Sequence, residues 1–155
     1  AVFNNAYGIS PGKLGSELLV ESKIHLSETY PHIIQIPEEK ILKIEGEYLD
    51  FTVTSNKNTY KTQYIIVGIG SANTFDIEGL NQFVVPHQKA LAEKQRVQLR
   101  NIDHKVIEGI YVIGTLAGCR SQLTIAAGSG AAVATDLLTI WNEGIPVQVH
   151  DSNKK

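Results

Sequence analysis

EGIYVIGTLAGCRSQLTIAAGSGAAVATDLLTIWNEG, residues 108–144, decides the fold. Ile110 to Ile113 is a short apolar run of the kind a sheet buries on both faces. Gly114 and Gly118 punctuate a tight turn after it. A helix is expected next. It opens with polar Arg120, Ser121 and Gln122, then carries Ala126, Ala127, Gly128, Gly130, Ala131, Ala132 and Ala134. A helix N-terminus presents free N–H groups and a positive dipole end, which suits an anionic or carbonyl-bearing ligand. Small residues along the helix let a flat ligand, or another backbone, lie close. The same pattern describes a helix packed tightly on a sheet, and pattern alone does not choose between the two.

Outward from that stretch, 155 residues suffice for one domain with a core. Residues 1–150 are read as one domain and 151–155 as a tail. A hydrophobic content of 43% beside 19% charged residues is that of a globular protein, and a net charge of -2 gives no electrostatic reason to expect nucleic acid. No apolar run approaches the ~20 residues a membrane helix needs, so no membrane partner is expected. The single cysteine, Cys119, allows no internal disulfide and no CxxC pair, which fits a cytoplasmic location. There is no methionine.

The order of elements suggests an α/β unit. A helix is expected from Ser10 to Tyr30-Pro31, with Pro11 in its first turn, then a strand over Ile33–Ile36. Strands are expected at Ile41–Glu45, Tyr48–Thr54 and Thr59–Val67, the last two joined as a hairpin through Ser55-Asn56-Lys57-Asn58. YIIVGIGSA, residues 64–72, reads as a buried strand entering a glycine-rich loop. Residues 87–99 read as a helix, or Val97–Ile102 as a strand. A short edge segment is expected from Ile145.

Side-chain chemistry is sparse. The five histidines have no metal-ligand spacing, so no metal site and no catalytic side chain is assigned. Ser121 and Ser129 lack a nucleophile-elbow context. Lys89, Lys94, Arg96, Arg100, His104 and Lys105 make the middle locally basic. The plainer reading of that run is a solvated face, interspersed with Glu93 and Asp103. Cys119 lies near a helix start, where a thiol gains reactivity, although a buried inert cysteine is the plainer reading.

IEGIYVIGTLAGCRSQLTIAAGSGAAVATDLL, from Ile107, resembles the C-terminal flavin-binding motif of thioredoxin reductases and their small single-domain relatives. In that family a pro-gly-val-(tyr/phe)-ala-ala-gly-asp segment precedes a helix containing ala-gly-x-gly. NNAYG at Asn4–Gly8 and GSELL at Gly15–Leu19 resemble the turn and helix after the family's first βαβ step. EKILKI at Glu39–Ile44 resembles the strand passing the adenine. YIIVGIGS resembles the strand ending in ala-thr-gly, and IEGL at Ile77–Leu80 the "ile-pro-gly" loop.

The resemblance implies an FAD/NAD(P)-binding Rossmann-like parallel sheet with a β-hairpin or meander insertion, and an FAD-binding oxidoreductase-like function. It places ribityl and pyrophosphate contacts on Gly114 and Thr115. The flavin-ring contact falls at the helix start, on Gln122 and Leu123, with Gly130 leaving room for the ring. The turn asparagine becomes Asn5, the adenine contact Lys40, and the ala-thr-gly element Gly68-Ile69-Gly70.

Departures are equally specific. The family's opening strand, G-x-G-x-x-G turn and helix have no counterpart here, and neither does its nicotinamide domain with the redox CxxC. Thr115 stands where the family has aspartate, and Ile69 where it has threonine. A first βα unit absent from mid-sheet implies roughly 30–40 upstream residues, a partner chain such as a second copy in a homodimer, or a sheet that closes differently. The alternative function is a flavin-less remnant acting as a binding or assembly module.

Overall fold

A computed structural model describes residues 1–147, and the chain forms two compact units, Ala1–Lys40 and Ile41–Lys155. The tail over residues 151–155 lies outside the described residues. In the first unit β1 (Val2–Phe3) pairs antiparallel with β2 (Lys13–Leu14). The intervening loop is closed by the Gly12 N–H, which donates to Phe3 O and to Asn4 Oδ1. Because Lys13 and Leu14 are committed to that pairing, helix α1 starts at Gly15, five residues later than expected, and runs to Thr29. The Glu17 carboxylate accepts from the Leu14 N–H at 3.1 Å and so satisfies one of the donors a helix start leaves open. Pro31 follows the end of α1, as expected.

Ile33–Ile36 forms no strand. A strand requires a partner ladder, and here Gln35 turns back on α1 instead. Its side-chain amide donates to Lys23 O at 3.1 Å and to Ser27 Oγ at 2.7 Å.

The second unit begins with an antiparallel meander: β3 (Ile41–Glu47), β4 (Asp50–Ser55) and β5 (Thr59–Thr62). The expected hairpin turn is present. Ser55 Oγ accepts from the Lys57 and Asn58 N–H groups at 3.1 and 2.8 Å, a side-chain turn that fixes the register. The long strand expected over Thr59–Val67 breaks at Gln63-Tyr64, and its second half is β6 (Ile65–Val67). Next comes an arm of β7 (Val84–Pro86) against β8 (Val97–Leu99), with a 3-10 turn at Ala92–Lys94 between them. Of the two readings for residues 87–102, the strand prevails, over a shorter span. Finally β9 (Lys105–Ile107) turns into β10 (Ile110–Val112), which leads to helix α2 (Leu123–Trp141). Residues 145–147 form no strand, so the edge segment expected there does not appear among the described residues.

β10 organises the core. It pairs in parallel with β6 and antiparallel with β9. Among the described residues the expected Rossmann-like parallel sheet is met only by the β6–β10 pair, and the other pairings between these strands are antiparallel. A parallel pair needs a long crossover, and the chain makes one between Val67 and Ile110, whereas the two-residue β9–β10 connection can only reverse direction. Side chains of β10 alternate as a strand dictates. Ile110 and Val112 join Phe51, Leu80, Leu99 and Leu116 in one cluster, while Tyr111 packs with Val133 and Leu137 of α2 in another. All three β10 residues are buried, so the two-faced burial expected from the sequence is present.

The Ile77–Leu80 loop is fastened to β3. Ile44 N–H donates to Glu78 O and Glu78 N–H to Leu42 O, each at 2.9 Å. Gly79 sits at φ +94, where a Cβ would lie 1.9 Å from Ile44 O, so only glycine fits.

One sequence expectation needs correction. α2, with 19 residues and a mean hydropathy of 1.5, is long and apolar enough by length and composition to cross a membrane. Its serines, threonines and glycines had disguised that run. Ser129, Val133 and Leu137 form its buried stripe, the arrangement of a helix laid on a sheet.

Candidate functional site

The chain leaves β10 through a 3-10 turn at Gly114–Ala117. Gly114 has φ +64, which favours glycine, and its N–H donates to Ser129 Oγ at 2.8 Å. The Ser129 hydroxyl donates in turn to Ala126 O at 2.7 Å. One buried serine thereby ties the turn to α2. The Ile113 N–H donates to Val67 O at 3.0 Å, holding the entry to the turn against the end of β6. Gln122 is the N-cap of α2, but no side chain caps the helix and no acidic residue lies in its first turn. Its first N–H donors and its positive dipole end are therefore left to solvent or a ligand.

That end of the helix adjoins a cavity of about 300 Å³, lined in part by Ser71, Thr115, Ser121 and Gln122. Lys89, Lys94, Arg96 and Arg120 line it too, and no carboxylate does. Ser71 is only 2% exposed, and its Oγ accepts from Arg96 Nη1 at 3.0 Å. His87 is 9% exposed, and its Nδ1 accepts from the Lys89 N–H at 3.1 Å.

The basic run that the sequence suggested was a solvated face is thus divided in two. Its first half faces the cavity. The second half is used structurally: Arg100 lies over the Phe83 ring, Lys105 pairs with Glu108 at 2.9 Å, and His104 Nδ1 is 3.0 Å from Val112 O.

Gly114, Thr115, Gln122 and Leu123 fall together around the turn and helix start, and Gly70 directly precedes the cavity residue Ser71. Gly70 has open space where a Cβ would sit, and Ile69 beside it is largely exposed. Asn5 and Lys40 belong to the first unit: Asn5 is exposed in the bend after β1, and Lys40 is the exposed residue before β3. Gly130 lies two turns into α2, near Ile113. A Cβ there would lie 3.7 Å from Ile113 Cδ1, an ordinary contact. Cys119 is partly buried, and its N–H donates to Gly114 O at 3.3 Å. Among the described residues no group of three or more His, Cys, Asp or Glu side chains is placed to hold a metal ion.

Sequence reasoning missed Ser129, Ser71 and His87. For Ser129 a signal existed: it precedes Val133 and Leu137 at successive intervals of four, which puts it on the buried stripe. Ser71 and His87 sit in loops, where no periodicity marks burial.

No protein-family model and no curated protein matches this sequence. Among solved structures, the fold is similar to that of a ferredoxin-flavin thioredoxin reductase from Clostridium acetobutylicum. Two structures of that enzyme each give a TM-score of 0.66, at 16% and 15% identity, over 92% of this chain and 83% and 84% of theirs. A bacillithiol disulfide reductase from Staphylococcus aureus gives a TM-score of 0.50 at 13% identity, over 89% of this chain and 75% of that one. At these identities the likeness is one of fold. This chain's fold is similar to the folds of these reductases.

Proposed function

We propose that this chain is a flavin-binding redox domain, with FAD held at the turn after β10 and the start of α2. The observation that carries the reading is the uncapped, acid-free start of α2 opening on a cavity beside Thr115 and Gln122. The likeness in fold to a ferredoxin-flavin thioredoxin reductase supports it.

The residues present fit such a group. Free N–H donors at the helix start suit an electron-rich ring carbonyl, the Thr115 hydroxyl suits a ribityl hydroxyl, and the cavity cations balance phosphate charge. When bound, a flavin supplies the electron-transfer chemistry. The protein's part is to orient the ring at the α2 start, to stabilise negative charge there through the helix dipole, and to keep the Gly114 turn rigid through Ser129. A relay through an internal disulfide needs two cysteines, and this sequence has one. The edge position of β6, with Ile66 exposed, supports a homodimer.

A second reading, a flavin-less binding module, is favoured by Thr115 and the exposed Ile69 standing where the resemblance calls for aspartate and threonine. Titration of the purified protein with FAD, followed by flavin fluorescence, separates the two. Saturable uptake is expected, tightened about tenfold in Thr115→Asp by one charge-assisted hydrogen bond. Absence of uptake by either protein would end the flavin reading and leave the module.

A further inference from the structure

The cavity at the start of α2 has features that a flavin ring does not require. Lys89, Lys94, Arg96 and Arg120 converge on it. None of the four forms an ion pair among the described residues. All four are exposed side chains, and like charges gathered around a hollow give it a positive potential.

Two nearly buried polar side chains, Ser71 and His87, stand on the same wall. His87 Nδ1 accepts from the Lys89 N–H, so in the neutral ring the proton sits on Nε2, which donates to nothing among the described residues. Ser71 Oγ accepts from Arg96, which leaves its own O–H proton without an acceptor there. Ser71 is 2% exposed and His87 9%, so water reaches them mainly through the cavity. The wall thus presents cations and donor groups and no carboxylate, which suits acceptor oxygens carrying negative charge. Four cations exceed what one carboxylate can neutralise, whereas a phosphate or diphosphate supplies both the charge and the several oxygens.

We propose that this cavity is a receptor for the phosphate or diphosphate group of a small ligand. Arg96, Arg120, Lys89 and Lys94 supply charge, and Ser71 and His87 supply directed hydrogen bonds. The uncapped start of α2 adds its dipole. The proposal rests on these side chains and holds whether or not a flavin binds. The group has two sources: the diphosphate of a dinucleotide such as FAD, or a second, phosphorylated molecule.

The test is calorimetric titration of the purified protein with inorganic pyrophosphate in phosphate-free, low-salt buffer. Saturable binding is expected, weakening as salt rises. Lys89→Gln combined with Arg120→Gln, both exposed in the free protein, should weaken it at least tenfold while the unliganded melting temperature stays unchanged. Lys61→Gln, removing a cation paired with Asp50 and outside the cavity lining, should have no effect.

A parallel competition identifies the source. If pyrophosphate displaces FAD but not riboflavin, the receptor holds the dinucleotide's own diphosphate. If both bind together, it holds a second ligand. Absence of pyrophosphate binding, or equal affinity in the double variant, overturns the proposal. It does so without touching the flavin reading, which riboflavin and FAD uptake test separately.

Discussion

Ser129→Ala is the perturbation with the clearest expected magnitude. The Ser129 side chain is 93% buried by its 7% exposure and makes two hydrogen bonds, accepting from the Gly114 N–H at 2.8 Å and donating to Ala126 O at 2.7 Å. The Ala126 carbonyl keeps its helical partner after the change, so the loss falls on Gly114. An orphaned buried N–H costs about 1–3 kcal/mol, and the lower half applies because Gly114 is only half-buried. Alanine's better helix propensity returns about 0.5 kcal/mol. The net is about 1 kcal/mol, or about 4 °C in Tm for a domain of this size. Thermal unfolding by circular dichroism reads that directly, with Ser121→Ala, at an exposed position, as a control expected to stay within about 0.5 kcal/mol. Amide exchange at Gly114 should quicken in step. A Tm within 1 °C of wild type, with unchanged exchange at Gly114, would refute the idea that this serine holds the turn.

Three further outcomes follow from the same structure. Gly79→Ala should cost about 3 kcal/mol or more, since its Cβ would meet Ile44 O at 1.9 Å and φ is +94; a soluble protein with unchanged Tm would contradict this. Leu137→Ala should cost about 2–4 kcal/mol by opening a hole against Tyr111 and Val133, read as a lower denaturant midpoint at constant m. Tyr48 is pushed up to about 12, chiefly by its hydrogen bond to the Tyr64 hydroxyl at 3.0 Å. Its folded pKa exceeds the unfolded one, so the stabilisation is complete below about pH 10 and is lost as pH rises toward 12. Absorbance titration should show late-ionising tyrosines, Tyr48 beside Tyr111, which burial also raises; the Tyr48 component should return toward the ordinary range in Tyr64→Phe, and its persistence in that variant would sink the assignment.

How far the sequence reached depended on which forces acted locally. Ile110–Val112, the Ser55–Asn58 turn and α2 were readable because alternation, turn chemistry and small-residue helix composition act within a few residues. Ile33–Ile36 was misread as a strand because apolar content says nothing about whether a partner ladder exists, and Gln35 takes the segment to α1 instead. The parallel sheet was overestimated for the same reason, since strand direction is settled by connections far apart in the chain. At the site, Gly114, Thr115 and Gln122 carried a local motif. His87 and Arg96 are brought together by the β7–β8 arm, and the Val97 N–H donating to Ser71 O ties the loop after β6 to it, non-local pairings that left no mark in their own neighbourhoods.

The central claim is that the turn after β10 and the start of α2 receive a flavin. Backbone amide shifts of the labelled protein, recorded during addition of FAD, test it most directly. The account predicts that the largest shifts fall on Gly114, Thr115, Gln122 and Leu123, saturating together. Shifts concentrated on the opposite end of α2 near Trp141, or none at stoichiometric FAD, would contradict it.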